Sequence, residues 1–161
     1  MNAIGLDIGS NVIKAVQLRE KGGKYHLLEF GTALVSEENI EEVDPKEKTE
    51  LLVNAIRKCL KNGGIKGREA AVSLSGDSVV IRYIKFPVMS KAELKTAIRS
   101  EADQYIPFNI EQAILDFSIT GEVSEDGQKK NEIILVAAKE EPVTQMVELL
   151  KLAGLTPAVI D

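Results

Sequence analysis

The sequence has very little of what metal and redox sites are built from. Its 161 residues include one cysteine, Cys59, one histidine, His26, and no tryptophan. A single cysteine cannot form a disulfide within the chain, and neither residue type occurs in the clusters that bind zinc. The sequence therefore excludes a disulfide framework and a Cys/His metal site, and we expect a reducing compartment such as the cytoplasm.

Basic stripes and long apolar runs are also missing. The 20 Lys and Arg residues are spread along the chain and are outnumbered by 25 Asp and Glu, which gives a formal net charge of -5. A nucleic-acid partner is therefore not expected. The N-terminus MNAIGLDIG has no basic region and no cleavage site, and no apolar run is long enough to cross a membrane. We expect a soluble chain that is neither exported nor inserted directly in a membrane.

The sequence does have a regular succession of strand and helix patterns. GLDIGSNVIKAVQL predicts two strands joined by a tight turn at Gly9, and KYHLLEFGTALV predicts a third. Capping patterns at Asp44 and Ser90 begin two amphipathic helices, and Pro142 begins a third. Two strands, AILDFSIT and EIILVAAK, flank the polar segment EVSEDGQKKN, whose Asp126–Gly127 marks a hairpin tip.

The order of these elements predicts the fold class. Three strands, a helix and a strand are followed by a strand, a helix, a hairpin, a helix and a last strand, TPAVID. This alternation predicts an α/β protein in two small units that pack on each other. A compact domain seldom ends on a bare apolar strand, so we expect the chain to be the front part of a longer protein.

The turn at Gly9 has the composition of a phosphate-binding hairpin. Gly9 lets the backbone approach oxygen atoms that a Cβ would block, and the amides of Ser10 and Asn11 can point at an anion. Lys14 can supply a positive charge, and Asp7 can hold a water bound to magnesium. The same residues also fit an ordinary hairpin with glycine at its tip, and spacing alone favours that simpler interpretation.

A wider pattern favours phosphate binding. An N-terminal D-x-G-S hairpin followed by a third strand, a helix and a fourth strand resembles the first phosphate loop of the actin, Hsp70 and sugar-kinase superfamily. Within it, the sequence is similar to the PilM family of type IV pilus assembly proteins across essentially the whole chain. The segments that carry this similarity are GLDIGSNVIKAVQL, AAVSLSGDSVVIRYIKFPVMSKAELKTAIRSEADQYIPF and ILDFSITGE. Similarity to the cell-division protein FtsA is more distant.

The resemblance implies an actin-like α/β fold in two parts. Residues 1–75 and 156–161 would form the phosphate-loop subdomain, which has an RNase H-like sheet. Residues 76–155 would form the inserted α+β subdomain that PilM and FtsA share.

The resemblance also implies ATP and magnesium as ligands of the complete protein. In the family, ATP lies between two halves of a longer chain, and the residues assigned here to phosphate and magnesium are Asp7, Gly9, Ser10, Asn11 and Lys14, with Asp7 on the metal side. By this resemblance, these 161 residues would hold one wall of that cleft and lack the other. We therefore expect ATP binding that is weak or absent, and no turnover. A micromolar ATP affinity in isothermal titration would contradict this expectation.

A protein partner follows from the same resemblance. PilM proteins bind a short N-terminal cytoplasmic segment of the membrane-anchored pilus protein PilN, in a groove between the two subdomains. We therefore expect a cytoplasmic protein that is peripheral to the inner membrane through this partner and works among other pilus assembly proteins. The strand SVVIRYIKFPV is compatible, because Val79, Ile81 and Tyr83 face opposite to Val80, Ile84 and Phe86. An extended peptide, or a core helix of the same chain, would cover its second apolar face.

Two other functions stay open. A small-molecule kinase of the same superfamily would need a catalytic carboxylate and a substrate loop, commonly with a second glycine where Asn11 stands. An FtsA-like division protein would carry a C-terminal amphipathic membrane helix. The resemblance favours an assembly scaffold in which ATP stabilises one arrangement of the two halves.

Overall fold

The computed structural model describes residues 4–37, 40–74 and 76–161. The chain divides into two compact units. Unit one comprises Met1–Leu74 with Thr144–Asp161, and unit two comprises Ser75–Val143. Ser75, the predicted last residue of the first subdomain, lies outside the described residues. No helix of the described ranges is long and apolar enough to span a bilayer.

Strands and helices follow one another in the predicted order. They are β1 (Ile4–Ile8), β2 (Val12–Lys21), β3 (Lys24–Leu34), α1 (Pro45–Asn62), β4 (Glu69–Val72), β5 (Val79–Pro87), α2 (Lys91–Glu101), β6 (Ala113–Glu125), β7 (Gln128–Lys139), α3 (Glu140–Ala153) and β8 (Thr156–Ile160). Two short 3₁₀ turns lie between α2 and β6. The two predicted caps are present: the Asp44 carboxylate accepts a hydrogen bond from the Lys46 amide at 2.9 Å, and Ser90 and Glu93 form a reciprocal capping box.

Unit one is built on a five-stranded mixed sheet. Its strand order is β3-β2-β1-β4-β8, with β1, β2 and β3 antiparallel and with β4 and β8 parallel to β1. Parallel neighbours cannot be joined by a tight turn, so α1 and the whole of unit two lie in the chain connections between them. The carboxyl ends of β1, β4 and β8 consequently meet at one edge of the sheet.

One face of this sheet is covered by helices. Ile4 and Ile13 lie on the side of their strands that faces the helices. They belong to the same buried cluster as Ile56 and Cys59, which lie on the apolar side of α1. Leu150 of α3 is fully buried in that cluster. The expected division placed the whole of α3 in the inserted subdomain, residues 76–155. The compact units instead divide at Val143 and Thr144, because the buried side of α3 packs into the core of unit one.

Unit two is a three-stranded antiparallel sheet in the order β5-β7-β6, with α2 packed on one face. The β6–β7 hairpin is longer than predicted, because the polar segment EVSEDGQKKN continues both strands up to the pair Glu125–Gln128. Asp126 and Gly127 have φ values of 52° and 76°. A two-residue turn with two positive φ angles matches the right-handed twist of its strands, so the ladder continues to the tip.

Candidate functional site

The carboxyl ends of the three parallel strands of unit one meet at an open cavity of about 580 Å³. Asp7 lies near the end of β1, Ser73 follows β4, and Asp161 follows β8, and all three line this cavity. Ligand sites of open α/β sheets lie outside the carboxyl ends of the strands. This cavity is therefore the candidate functional site.

Small residues leave room on the floor of the cavity. Gly5 of β1 and Ala71 of β4 are register partners on neighbouring strands, and both line the cavity. A Cβ at Gly5 would lie 3.2 Å from Cγ2 of Val16, so even alanine would crowd this floor. The cavity is therefore apolar over the sheet and polar at the strand ends.

Asp7 and Lys14 form an ion pair at the polar end. They are register partners on β1 and β2, and the Lys14 ammonium donates to Oδ2 of Asp7 at 3.0 Å. The Asp7 side chain is 65% exposed and the Lys14 side chain is 61% exposed. An exposed pair of this kind contributes about 0–1 kcal/mol, so a ligand or a hydrated ion can replace either partner at small cost. The structure thus brings together two of the five predicted site residues.

Asp161 is a second acidic residue of the cavity, and it is not among the residues predicted from the sequence. Its amide donates to the Val72 carbonyl at 2.9 Å, and its own carbonyl accepts from the Leu74 amide at 2.8 Å. These two bonds fix its backbone beside β4. The signal was present in the sequence: Asp161 follows an apolar strand, as Ser73 follows β4, but only the parallel pairing of β1, β4 and β8 shows that these ends meet.

The remaining predicted residues, Gly9, Ser10 and Asn11, form the β1–β2 turn and are not among the residues that line the cavity. The Gly9 amide donates to the Val12 carbonyl at 3.3 Å, and a Cβ at Gly9 would lie only 2.9 Å from that oxygen. The hairpin itself therefore requires glycine at position 9. Within the described ranges, the amides of Ser10 and Asn11 donate to no backbone carbonyl, so both are available to an anion.

These residues fit the phosphate and magnesium end of a nucleotide. Carboxylate oxygens from Asp7 and Asp161 suit a hydrated Mg²⁺, and the Lys14 ammonium with two turn amides suits phosphate oxygens. Over the described part of the chain, no group of three or more His, Cys, Asp or Glu residues is placed to hold a metal. An ion at this cavity would therefore keep water or phosphate oxygens among its ligands.

A second exposed feature lies on unit two. β5 is an edge strand, with Ile84 and Phe86 buried beneath α2 and with Ile81 54% and Tyr83 81% exposed on the opposite face. The prediction of two apolar faces is confirmed. The exposure of Tyr83 also shows that α2, which packs on the Ile84 side, does not cover the second face.

Comparison with known proteins gives a family match over nearly the whole chain. A family model described as type IV pilus assembly protein PilM matches residues 5–161. A chain of the solved PilM–PilN type IV pilus biogenesis complex is 28% identical with a TM-score of 0.82, and the match covers 100% of this chain and 47% of that one. The chain thus spans about half the length of the solved chain. The predicted fold class is confirmed by this match.

A more distant structure shares the fold alone. The cytoplasmic domain of EpsL, an inner membrane component of the type II secretion system of Vibrio cholerae, is 8% identical with a TM-score of 0.58. That match covers 99% of this chain and 56% of the EpsL chain. None of these matches favours a small-molecule kinase or an FtsA-like division protein.

Proposed function

This chain belongs to the PilM family of type IV pilus assembly proteins, and we propose that it is part of a cytoplasmic scaffold that binds the N-terminal cytoplasmic segment of a PilN-type inner-membrane protein. One observation carries the proposal: the likeness to a chain of the PilM–PilN complex extends over 100% of these residues, at a TM-score of 0.82. The scaffold is held at the inner membrane through this partner, where it joins other pilus assembly proteins.

Unit two offers a surface suited to an extended peptide. β5 is an edge strand, so a peptide can add its main chain to the sheet while its alternate side chains meet the apolar face. Ile81 and Tyr83 are the exposed apolar side chains of that strand. Aromatic residues often dominate binding energy at interfaces, so Tyr83 is the residue we expect to matter most.

The test is isothermal titration of the chain with a synthetic peptide from the N-terminus of its PilN-type partner. Tyr83→Ala should weaken peptide binding by about tenfold or more, as truncation of an interface aromatic does. Tyr25→Ala is the matched control, because Tyr25 is 74% exposed but belongs to β3 of unit one. Failure of the unmodified chain to bind any such peptide would refute the proposed function. Equal weakening by the two variants would refute the placement on β5.

We also propose that the complete protein binds Mg-ATP at the cavity of unit one. Lys14 and the amides of Ser10 and Asn11 bind phosphate oxygens, while Asp7 and Asp161 hold water on the metal. Bound nucleotide would supply a contact that stabilises one arrangement of the protein's halves. Titration of the complete protein with Mg-ATP tests this, since Asp161→Asn should lower the affinity. An unchanged affinity would remove Asp161 from the site.

A further inference from the structure

Charge is distributed unevenly between the two ends of the unit-one sheet. We call the end at which β1, β4 and β8 begin the basic edge. Exposed Lys and Arg side chains gather there, namely Arg19, Lys21, Lys24, Lys61, Lys66 and Arg68. The acidic residues among them are Glu20, Glu29 and Glu69. The basic edge is therefore positive, although the chain as a whole has a formal net charge of -5.

The hairpin of β2 and β3 carries half of these cations. Within the described residues, β1 pairs with β2 only as far as Gln17, so the end of β2 pairs with β3 alone. In this two-stranded ribbon, Arg19 is opposite His26, and Lys21 is opposite Lys24. Alternate residues of a strand share a face, and residues directly opposite each other share it too. One face of the ribbon therefore presents three cations and an imidazole.

The loop that leads from α1 into β4 adds two cations beside the ribbon. Gly67 of this loop packs where the ribbon begins, since a Cβ there would lie 3.1 Å from Cγ1 of Ile4 and 3.4 Å from Nε2 of Gln17. Lys66 and Arg68 flank Gly67, and both are exposed. Segments that are distant in sequence thus contribute cations to one surface.

Stability of the fold does not account for these cations. Like charges directly opposite each other destabilise a strand pair, yet Lys21 and Lys24 are register partners. Lysine on an edge strand can prevent pairing with another sheet, which would explain Lys24 of β3, but β2 lies inside the sheet. Only Lys61, in the last turn of α1, has the ordinary role of complementing the helix dipole. In the described part of the chain, none of the six cations forms an ion pair.

The opposite end of unit one is acidic and lies far enough away to act separately. α1 begins there, and residues 40–50 contain five Asp and Glu residues and two Lys residues. α1 has 18 residues, so its two ends lie about 27 Å apart. Charges in water are largely screened beyond about 10 Å at 0.1 M salt. An anionic surface at the basic edge would therefore be little repelled by the acidic end.

We propose that the basic edge rests on the anionic headgroups of a phospholipid bilayer without inserting into it. The edge consists of a projecting hairpin and a neighbouring loop, and a projecting cationic surface suits a flat anionic layer. The choice of lipid as the partner rests on the proposed location of the scaffold at the inner membrane. The candidate cavity, at the carboxyl ends of β1, β4 and β8, would then face away from the bilayer.

The test is flotation of the chain with phospholipid vesicles that contain no PilN-type protein. Vesicles of equal parts phosphatidylcholine and phosphatidylglycerol are compared with vesicles of phosphatidylcholine alone. The double variant Lys21→Glu with Lys24→Glu reverses two charges of the basic edge, and it keeps a like-charged pair at the hairpin tip. The matched control is Lys46→Glu with Lys48→Glu, which changes the net charge equally at the acidic end of α1.

We expect the unmodified chain to bind the mixed vesicles, to bind phosphatidylcholine alone far less, and to be released as salt rises. The basic-edge variant should bind the mixed vesicles at least about tenfold more weakly, because each cation near an anionic surface contributes roughly fivefold. The control should change by less than about twofold, since its substitutions lie beyond the screening length. Lys66→Glu with Arg68→Glu tests the same edge from the loop and should give the same loss.

Absence of binding to the mixed vesicles would overturn the proposal, and so would an equal loss in the basic-edge variant and the control. Binding to a poly-glutamate peptide without binding to the vesicles would also overturn it, and would assign the basic edge to an acidic protein segment. Because the vesicles contain no PilN-type protein, a negative result would leave the proposed function standing.

Discussion

Unit one and unit two are both sheets with helices on one face, and each exposes an apolar second face. In unit one, the parallel strands β1, β4 and β8 run from the centre of a five-stranded sheet to one edge, whereas unit two has three antiparallel strands. Antiparallel sheets commonly leave one face to solvent, but that face is then polar. Exposed apolar side chains, such as Ile81 and Tyr83 on unit two and Phe30 and Leu34 on unit one, depart from that pattern in both units.

The two units also differ in how their helices are attached. In unit one, buried side chains from four strands and two helices form one cluster, and α1 meets β3 backbone to backbone at Gly31 and Gly63. In unit two, a smaller cluster around Ile84 and Leu135 lies beneath α2. Near the tip of the β6–β7 hairpin, Glu125 of β6 forms ion pairs with Lys85 of β5 and with Lys130 of β7. Unit one thus depends on close backbone packing, whereas the surface ion pairs of unit two add only a small contribution to its buried cluster.

The largest expected effect comes from Leu150→Ala, which tests whether α3 belongs to unit one. Leu150 is fully buried in the unit-one cluster, so its truncation should lower the free energy of unfolding by about 2–4 kcal/mol. Leu152→Ala, two residues along the same helix at a position 55% exposed, should change it by no more than about 0.5 kcal/mol. Urea unfolding measures both.

Hydrogen exchange then assigns the loss to a unit. In Leu150→Ala, amides of β1 and β4 should exchange faster while those of β5 and β7 keep their protection. If the amides of β5 and β7 lost protection to the same extent, α3 would stabilise both units. The division at Val143 and Thr144 would then not separate two independently stable units.

A smaller loss is expected from Gly31→Ala, which tests the backbone contact in unit one. A Cβ at Gly31 would lie 3.0 Å from the Gly63 nitrogen and still closer to the Cys59 carbonyl oxygen. Overpacking of this kind costs about 1–3 kcal/mol. Gly121→Ala in β6 is the matched control, because its Cβ would meet only the Glu132 carboxylate at 3.4 Å. Equal urea midpoints for the two variants would show that α1 can move off β3 without cost.

Local patterns predicted the elements well because the forces that form them are local. Capping at Ser90, the turn at Asp126–Gly127 and the two apolar faces of β5 each depend on residues a few positions apart. The hairpin strands near Glu125 were predicted as a polar connection instead, because their backbones pair while their side chains remain largely exposed. The alternation of apolar and polar residues therefore gives little indication of where such a strand pair ends.

The sequence alone could not show which segments that are far apart along the chain lie next to each other in the fold. The amphipathic pattern of α3 identified a buried face but not the core that receives it. Asp7 and Lys14 were predicted because they lie across one hairpin, while Ser73 and Asp161 join them only through strands that are distant in sequence. Glycine at position 9 is predicted from the sequence to let the backbone approach a ligand. In the structure, a Cβ at this position would instead clash with the Val12 carbonyl oxygen of the same hairpin.

The smallest expected effect is at the far end of unit two, where Glu125 accepts from Lys130 at 2.7 Å and from Lys85 at 3.1 Å. The hydrogen bond from Lys130 and then that from Lys85 lower the pKa of Glu125. A carboxylate with a lowered pKa in the folded state stabilises the fold fully above its unfolded pKa, and this contribution is lost as pH falls through the lowered value. The melting temperature of Glu125→Gln should therefore lie slightly below that of the unmodified chain at pH 7, and the difference should shrink as the pH falls through the lowered pKa of Glu125. Glu122→Gln on the same hairpin is the control, since Glu122 takes no part in these ion pairs. A Glu125→Gln difference that did not change with pH would show that hairpin geometry, and not charge, fastens this end of the sheet.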